Sequence, residues 1–337
     1  MTAAPRVVVT GSIATDYLMR YTGRFTDALV PDRLATLSLS FLVDRMRMRP
    51  GGVAANIAYG LTRLGLRPTL VGAVGSDYAA DRLAGFGVDT SGLRVSATEL
   101  TARFLCTTDD AQNQIAAFHT GAMAEARHIG LAPVVGTLGG VDLVLVAPND
   151  PVAMLRHTRE CQANGWAFAA DPSQQLASVD GADVRSLVES ATWLFTNEYE
   201  HGLLLDRTGW TDEQVLSRVG AWVTTLGAGG VVVESAGERS IKVAAVADLV
   251  PVDPTGVGDA FRAGFVAGIV CGLGVQRAAQ LGCVLAGFVL TAEGAQDYDV
   301  GLSTLLSTVG RTYGGAAEVD LAAHVGSVTI DRGAGTP

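Results

Sequence analysis

Residues 253–261, DPTGVGDAF, carry the densest chemistry in this 337-residue chain. Gly256 and Gly258 flank Val257 just before a long apolar helix pattern. Glycines at a helix start leave backbone N–H groups bare, and those donors sit at the positive end of the helix dipole. Gly256, Val257 and Gly258 therefore form a candidate anion site. Asp259 adds a carboxylate that a resting phosphate would repel. Either it caps the helix, or it takes a proton from a hydroxyl that attacks phosphorus. A helix N-terminus lowers a carboxyl pKa and so weakens a base. A loose transition state, in which the hydroxyl proton leaves late, tolerates that weakness.

Other groups could serve the same chemistry, and each has a plainer reading. Gly51 and Gly52 precede Asn56 at the start of another helix pattern. Small residues there let a ligand approach the backbone, and Asn56 can both donate to and accept from a sugar hydroxyl. A simple strand-to-helix turn explains the same residues. Asn197 and Glu200 follow the strand-like ATWLFT. Glu200 is either a dipole partner or the holder of a water of Mg²⁺, an ion that keeps most of its waters; Asn197 would then meet a phosphate. Thr225, Leu226, Gly227 and Gly230 make a turn or a loop pressed on a nucleotide. Gln174 and Gln175 are exposed loop residues or readers of a polar base or sugar edge. Phe104 and Phe118 are core residues or a stacking clamp for a planar base.

Composition removes competing mechanisms. Lys242 is the only lysine. That excludes a Walker A loop, a protein-kinase strand lysine and Schiff-base chemistry. Any phosphate handled here must be neutralised largely by backbone amides. The five histidines lack H-x-x-H spacing, no G-x-S-x-G elbow occurs, and the first strand continues as VTGSIATD without G-x-G-x-x-G. A net charge of −10 argues against nucleic acid as a partner. No apolar run approaches the ~20 residues a bilayer span needs. The N-terminus runs straight into a strand pattern, so a cytoplasmic protein without signal peptide is expected. Cys106, Cys161, Cys271 and Cys283 read as reduced core residues.

These groups need a scaffold. Residues 6–11 predict a buried strand with Ser12 and Asp16 beyond its C-terminal end, where α/β proteins place ligands. Leu37, Leu39, Phe41 and Val43 alternate as a strand with one apolar face. The phase then shifts to Met46 and Met48 between Arg45, Arg47 and Arg49. With 101–108 and 114–121 these predict a small antiparallel sheet outside the main domain. Its apolar face is too large for the lid to bury alone, which predicts a homodimer through this sheet. From residue 141 the chain alternates strand and helix, with helices at 150–164, 183–190, 198–206, 211–220, 259–272 and 275–293. That rhythm predicts a mostly parallel central sheet with helices on both faces. The expected organisation is a large α/β domain (about 5–14, 51–98 and 122–325), a discontinuous β lid (about 15–50 and 99–121) and a loose tail at 326–337.

RPGGVAANIA (49–58) and DPTGVGDAF resemble the two signatures of the ribokinase-like (PfkB) carbohydrate kinase family, with Val257 where alanine is commoner. Asn197 and Glu200 match the family's Asn-x-x-Glu, and the resemblance covers residues 6 to about 320. VTGSIATD (9–16), SLSFLVD (38–44), TARFLCTTD (101–109), DPSQQLA (171–177), LFTNEYE (194–200) and VTTLG (223–227) look most like its bacterial adenosine kinases. The resemblance implies a ribokinase-like fold and transfer of the γ-phosphoryl group of ATP to the 5′-hydroxyl of adenosine, a purine-salvage step. It implies Asp259 as base and the amides of Gly256, Val257 and Gly258 as anion hole. Asp16, Gly51, Gly52 and Asn56 would hold the ribose, and Ser12, Phe104, Phe118, Gln174 and Gln175 would surround the base. Asn197, Thr225, Leu226, Gly227, Gly230 and Gly258 would line the ATP side, with Glu200 ordering hydrated Mg²⁺. A response to K⁺ near 253–255 and 292–297 is also implied. The rivals are a kinase of the same fold acting on inosine, guanosine, ribose or fructose, and a non-catalytic nucleoside-binding regulator.

Overall fold

The computed structural model describes residues 4–28, 40–111 and 113–329. Val7–Thr10 (β1) is buried along its whole length. Val7 and Val9 enter one apolar cluster and Val8 another, so the strand feeds cores on both faces of its sheet. That sheet also contains Thr69–Val74 (β4), Leu93–Val95 (β5), Leu143–Val146 (β8), Phe168–Ala170 (β9), Trp193–Asn197 (β10), Ala221–Thr225 (β11), Val231–Glu234 (β12) and Ile241–Val243 (β13). The order is β13-β12-β11-β10-β9-β8-β1-β4-β5. Pairing is antiparallel between β11 and β12 and between β12 and β13, and parallel elsewhere.

A second sheet has the order β3-β2-β6-β7, from Ala14–Arg20 (β2), Arg45–Gly51 (β3), Ala102–Thr108 (β6) and Gln114–His119 (β7). It is mixed rather than purely antiparallel, because its central pair, β2 with β6, is parallel. Both strands leave the C-terminal edge of the large sheet, β2 after β1 and β6 after β5, so they run outward together.

Two other expectations change. The lid strand begins at Arg45. Phe41 and Val43 lie outside it, and Leu37 and Leu39 fall outside the described residues. Phe41 instead packs with Tyr21 and Phe25, at ring-centroid distances of 5.1 and 5.2 Å. Local aromatic packing, rather than a sheet face, accounts for this apolar residue. The tail expected from residue 326 starts later, because the Gly315–Thr329 helix includes residues 326–329.

Candidate active site

The site lies where strand ends of the large sheet meet the lid. Gly256 takes a left-handed conformation (φ 77°) as N-cap of the Val257–Val270 helix. A side chain there would be strained and would collide with Ala295. At the start of the helix the Val257 amide donates to the Pro254 carbonyl at 3.3 Å, and the amides of Gly258 and Asp259 are left without intrahelical partners. Gly52, at φ 91°, joins β3 to the Val53–Arg63 helix, and a Cβ on it would sit 2.6 Å from the Ala14 amide. The two glycine turns thus start the two helices that carry Asn56 and Asp259.

Asn56 Nδ2 donates to Asp259 Oδ2 at 2.8 Å, and Asn56 Oδ1 accepts from Gln296 Nε2 at 2.8 Å. Asn56 therefore orients the half-buried acid within a chain of three side chains, of which Asn56 and Gln296 are buried. The Asp259 pKa is raised, not lowered as its helix position suggested. Burial is the main cause; Arg262 and the Asn56 hydrogen bond oppose it, and Glu200 adds to it. A helix end carries roughly half a charge, which burial outweighs here.

Asp16 is 7% exposed and packs its carboxylate against Gly51. Burial first, then Asp259 and Asp253, raise its pKa to about 7. The lid register aligns Arg49, Asp16, Phe104 and Phe118 in one row across four strands. Cross-strand partnership puts the two rings side by side on the Asp16 face, with Phe118 exposed. Arg49 and Arg47 leave this face for Glu293 and Asp297 of the large domain. Ser12 Oγ accepts from the Val53 amide at 3.1 Å, which fixes its hydroxyl at the glycine turn.

Asn197 and Glu200 form a reciprocal capping box on the Glu198–Thr208 helix. Glu200 also accepts from Ser173 Oγ at 3.1 Å. The plainer capping reading of this pair therefore holds geometrically, and it leaves Glu200 buried near Asp171, Asp259 and Arg262. Asn197 pairs in register with Thr225. Leu226 donates to Gly230 across the next turn at 2.8 Å. Gly230 is bare because the backbone of Val243 and its successors presses on it. Gln175 donates to the Asn149 carbonyl at 2.9 Å and accepts from Ser178, while Gln174 is exposed.

Sequence reasoning passed over Gln296 and Arg262, and it gave no role to Asp171 and Ser173 of DPSQQLA. It also passed over a cavity of about 680 Å³ between residues 244–249 and the Val275–Leu290 helix, lined in part by Val246, Leu249, Phe288 and Thr291. The one available signal was Arg262 itself, a charge inside the apolar run AFRAGFVAG.

Three carboxylates, Asp171, Glu200 and Asp259, surround a single guanidinium at the cleft floor. Among the described residues no cluster of three or more His, Cys, Asp or Glu could ligate a metal directly. This negative floor fits a hydrated divalent cation carried in with a nucleotide. Asp253 accepts from the amides of Thr255 (2.9 Å) and Gly294 (3.0 Å). The carboxylates of segment 292–297 face Arg47, Arg49 and Arg82. These donors and acceptors are satisfied within the chain. No helix among the described residues is long and apolar enough to cross a membrane.

A family model for pfkB family carbohydrate kinases matches residues 5–300. The chain is 26% identical to a nucleoside kinase of Methanocaldococcus jannaschii, over 86% of this chain and 92% of that protein. The Burkholderia thailandensis nucleoside kinase solved with inosine is 33% identical, with a TM-score of 0.82, over 91% of this chain and 98% of that one. The structure of that enzyme with ADP and inosine is 34% identical, with a TM-score of 0.80, over 91% and 96%.

Proposed function

The chain belongs to the pfkB family of carbohydrate kinases, and from that premise we propose that it phosphorylates the 5′-hydroxyl of a nucleoside, adenosine foremost, with ATP as donor. The observation that carries this reading is Asp259, hydrogen-bonded and oriented by Asn56 at the mouth of the Gly256–Gly258 turn. The phosphoryl group of ATP meets the free amides at the start of the Val257–Val270 helix, those of Gly258 and Asp259, which need no reorganisation as charge grows. The hydroxyl oxygen forms its bond to the γ-phosphorus as the bond to the β,γ-bridging oxygen breaks. The hydroxyl proton passes to Asp259, and ADP leaves with the bonding electron pair. Mg²⁺ bound to the ATP phosphates would shield charge there, with Glu200 holding it through water. In this reading the cavity beside residues 244–249 receives the adenine of ATP, and Asn197 and Thr225, paired in register on adjacent strands, line the ATP side. Asp16 takes ribose hydroxyls, and Phe104 with Phe118 stacks the base.

A second acceptor, inosine, is favoured by the solved Burkholderia complex. The test is a panel of nucleosides, ribose and fructose incubated with ATP and Mg²⁺, read as ADP release. Nucleosides should outrun free sugars, because a free sugar has no use for two rings. Phe118→Ala should erase about 1–3 kcal/mol of that preference, the usual worth of base stacking. Sugars turned over as well as nucleosides, with Phe118→Ala silent, would reject the nucleoside assignment.

The dimer reading persists on different residues. The lid face opposite Asp16 carries Met48, Tyr17 and Leu105 in one row, with Met46, Met19 and Ile115 in the next. Met46 is 58% and Met48 64% exposed. Such a patch on a sheet favours self-association. Sedimentation should give a dimer at micromolar concentration and a monomer for Met48→Arg; a monomeric wild type would remove the proposal.

A further inference from the structure

Arg262 is buried in the Val257–Val270 helix, flanked by Phe261, Ala263, Gly264 and Phe265. A guanidinium in such surroundings needs a partner, and Asp171, fully buried beyond β9, supplies one. Nη2 donates to Oδ1 at 2.7 Å, and Nε lies 2.6 Å from Oδ2. Only Nη2 makes a hydrogen bond; Nε faces Oδ2 as an ion-pair contact, and neither of those two buried atoms has a hydrogen-bond partner. The third nitrogen, Nη1, lies 2.8 Å from where a Cβ on Gly258 would stand. It therefore lies against Gly258, in the middle of the anion turn, where a side chain would crowd it.

Buried pairs are weak evidence of a purely stabilising role, because apolar residues of similar volume commonly serve as well. The placement of Nη1 suggests a second task. The groups facing Asp259 are Asn56 from the Val53–Arg63 helix, Glu200 from the Glu198–Thr208 helix, Asp16 from β2, Asp171, Tyr298 and Arg262. Arg262 is the one cation in that set. Burial works against its charge, but Asp171 and then Asp259 more than offset this, so the guanidinium is firmly ionised.

We propose that Arg262, anchored by Asp171, is a positioning residue for phosphoryl transfer. It braces the Gly256–Gly258 turn from below, sets a fixed positive charge under the incoming phosphoryl group, and keeps Asp259 ionised beside it. This inference rests on the kinase reading above. It also amends the expectation drawn from the scarcity of lysine, since a buried arginine joins the amides.

The experiment compares Arg262→Met, Arg262→Lys and the double variant Arg262→Met/Asp171→Leu, with kcat, nucleoside Kd, thermal midpoint and the pH profile of kcat/KM measured for each. Arg262→Met should lower kcat by on the order of 10²-fold with nucleoside Kd little changed. Its acid limb should move up by about 1–2 pH units, because Asp259 loses its cation. The double variant, which strands neither charge, should recover the thermal midpoint but neither kcat nor the limb. Arg262→Lys should keep the limb near its wild-type position. A double variant with wild-type kcat and limb, or a limb displaced as far in Arg262→Lys as in Arg262→Met, overturns the proposal while sparing the kinase reading. A wild type that transfers phosphate to no acceptor overturns both.

Discussion

Asp259→Asn is expected to lower kcat by about 10²–10⁴-fold, the usual worth of a positioned general base, while nucleoside Kd stays within a few fold. The substitution is nearly isosteric. It preserves an acceptor for Asn56 Nδ2 and leaves Arg262 its main partner, Asp171. Binding and fold should therefore survive, and the loss should fall on kcat. The wild-type rate should also fall on acidification through a limb above the ordinary carboxylate range, because burial raises the Asp259 pKa. Near-normal turnover in Asp259→Asn, or an acid limb at the value of a free aspartate, would remove Asp259 from the base role. Stopped-flow or steady-state kinetics across pH 4–8 check both.

Asp16→Asn should make the free protein more stable and its nucleoside complex weaker. Asp16 titrates near pH 7 in the folded chain against 3.8 for an unperturbed carboxyl. Between those values the folded state holds a proton that the unfolded state has released, so rising pH destabilises the native form. The penalty is absent below pH 4, grows through the interval and is complete above pH 7. A shift of this size corresponds to roughly 4 kcal/mol. Asparagine removes it, so the variant should melt several degrees above wild type at pH 8 and almost level with it at pH 4. Nucleoside binding should move the other way, losing about 1–3 kcal/mol, because an ionised Asp16 accepts ribose hydroxyls. A variant that melts like wild type at pH 8, or binds nucleoside as tightly, contradicts this account. Calorimetry measures both quantities.

The two effects share one cause. Asp16 and Asp259 are carboxylates held in a cleft whose burial disfavours their charge, which raises both pKa values. The substrate repays Asp16 with hydroxyl hydrogen bonds. The Asp259 charge is maintained by Arg262 and Asn56 until the hydroxyl proton arrives.

What the sequence revealed depended on how local each feature is. The Gly256–Asp259 turn was legible because its glycines, helix start and acid are contiguous, and β1 was legible because a strand buried on both faces needs an unbroken apolar run. Phe104 and Phe118 could be named as a pair, since two adjacent strands carry them, though only the register showed them to be direct partners. The Asn56–Asp259 and Asn56–Gln296 bonds join residues 203 and 240 positions apart, and no spacing rule reaches that far. For the same reason Asn56 was assigned to the ribose alone, while its buried amide spans the acid and Gln296. The direction of the Asp259 shift was misjudged because the helix dipole is visible in sequence and burial is not. The lid face was shifted because alternation at 37–43 resembles a strand, whereas Phe41 packs against Tyr21 and Phe25. The Arg–Met alternation at 45–49 is the actual strand, with Arg47 and Arg49 turned to the large domain and its methionines outward.

The most direct test follows the phosphoryl group itself. Adenosine and ATP carrying radioactive phosphorus at the γ-position are incubated with the protein and Mg²⁺, and products are separated by chromatography and counted. The account predicts label on the 5′-oxygen of AMP in step with ADP, and no transfer on the same timescale by Asp259→Asn despite intact nucleoside binding. Label found solely in inorganic phosphate, or transfer by Asp259→Asn at the wild-type rate, would contradict it.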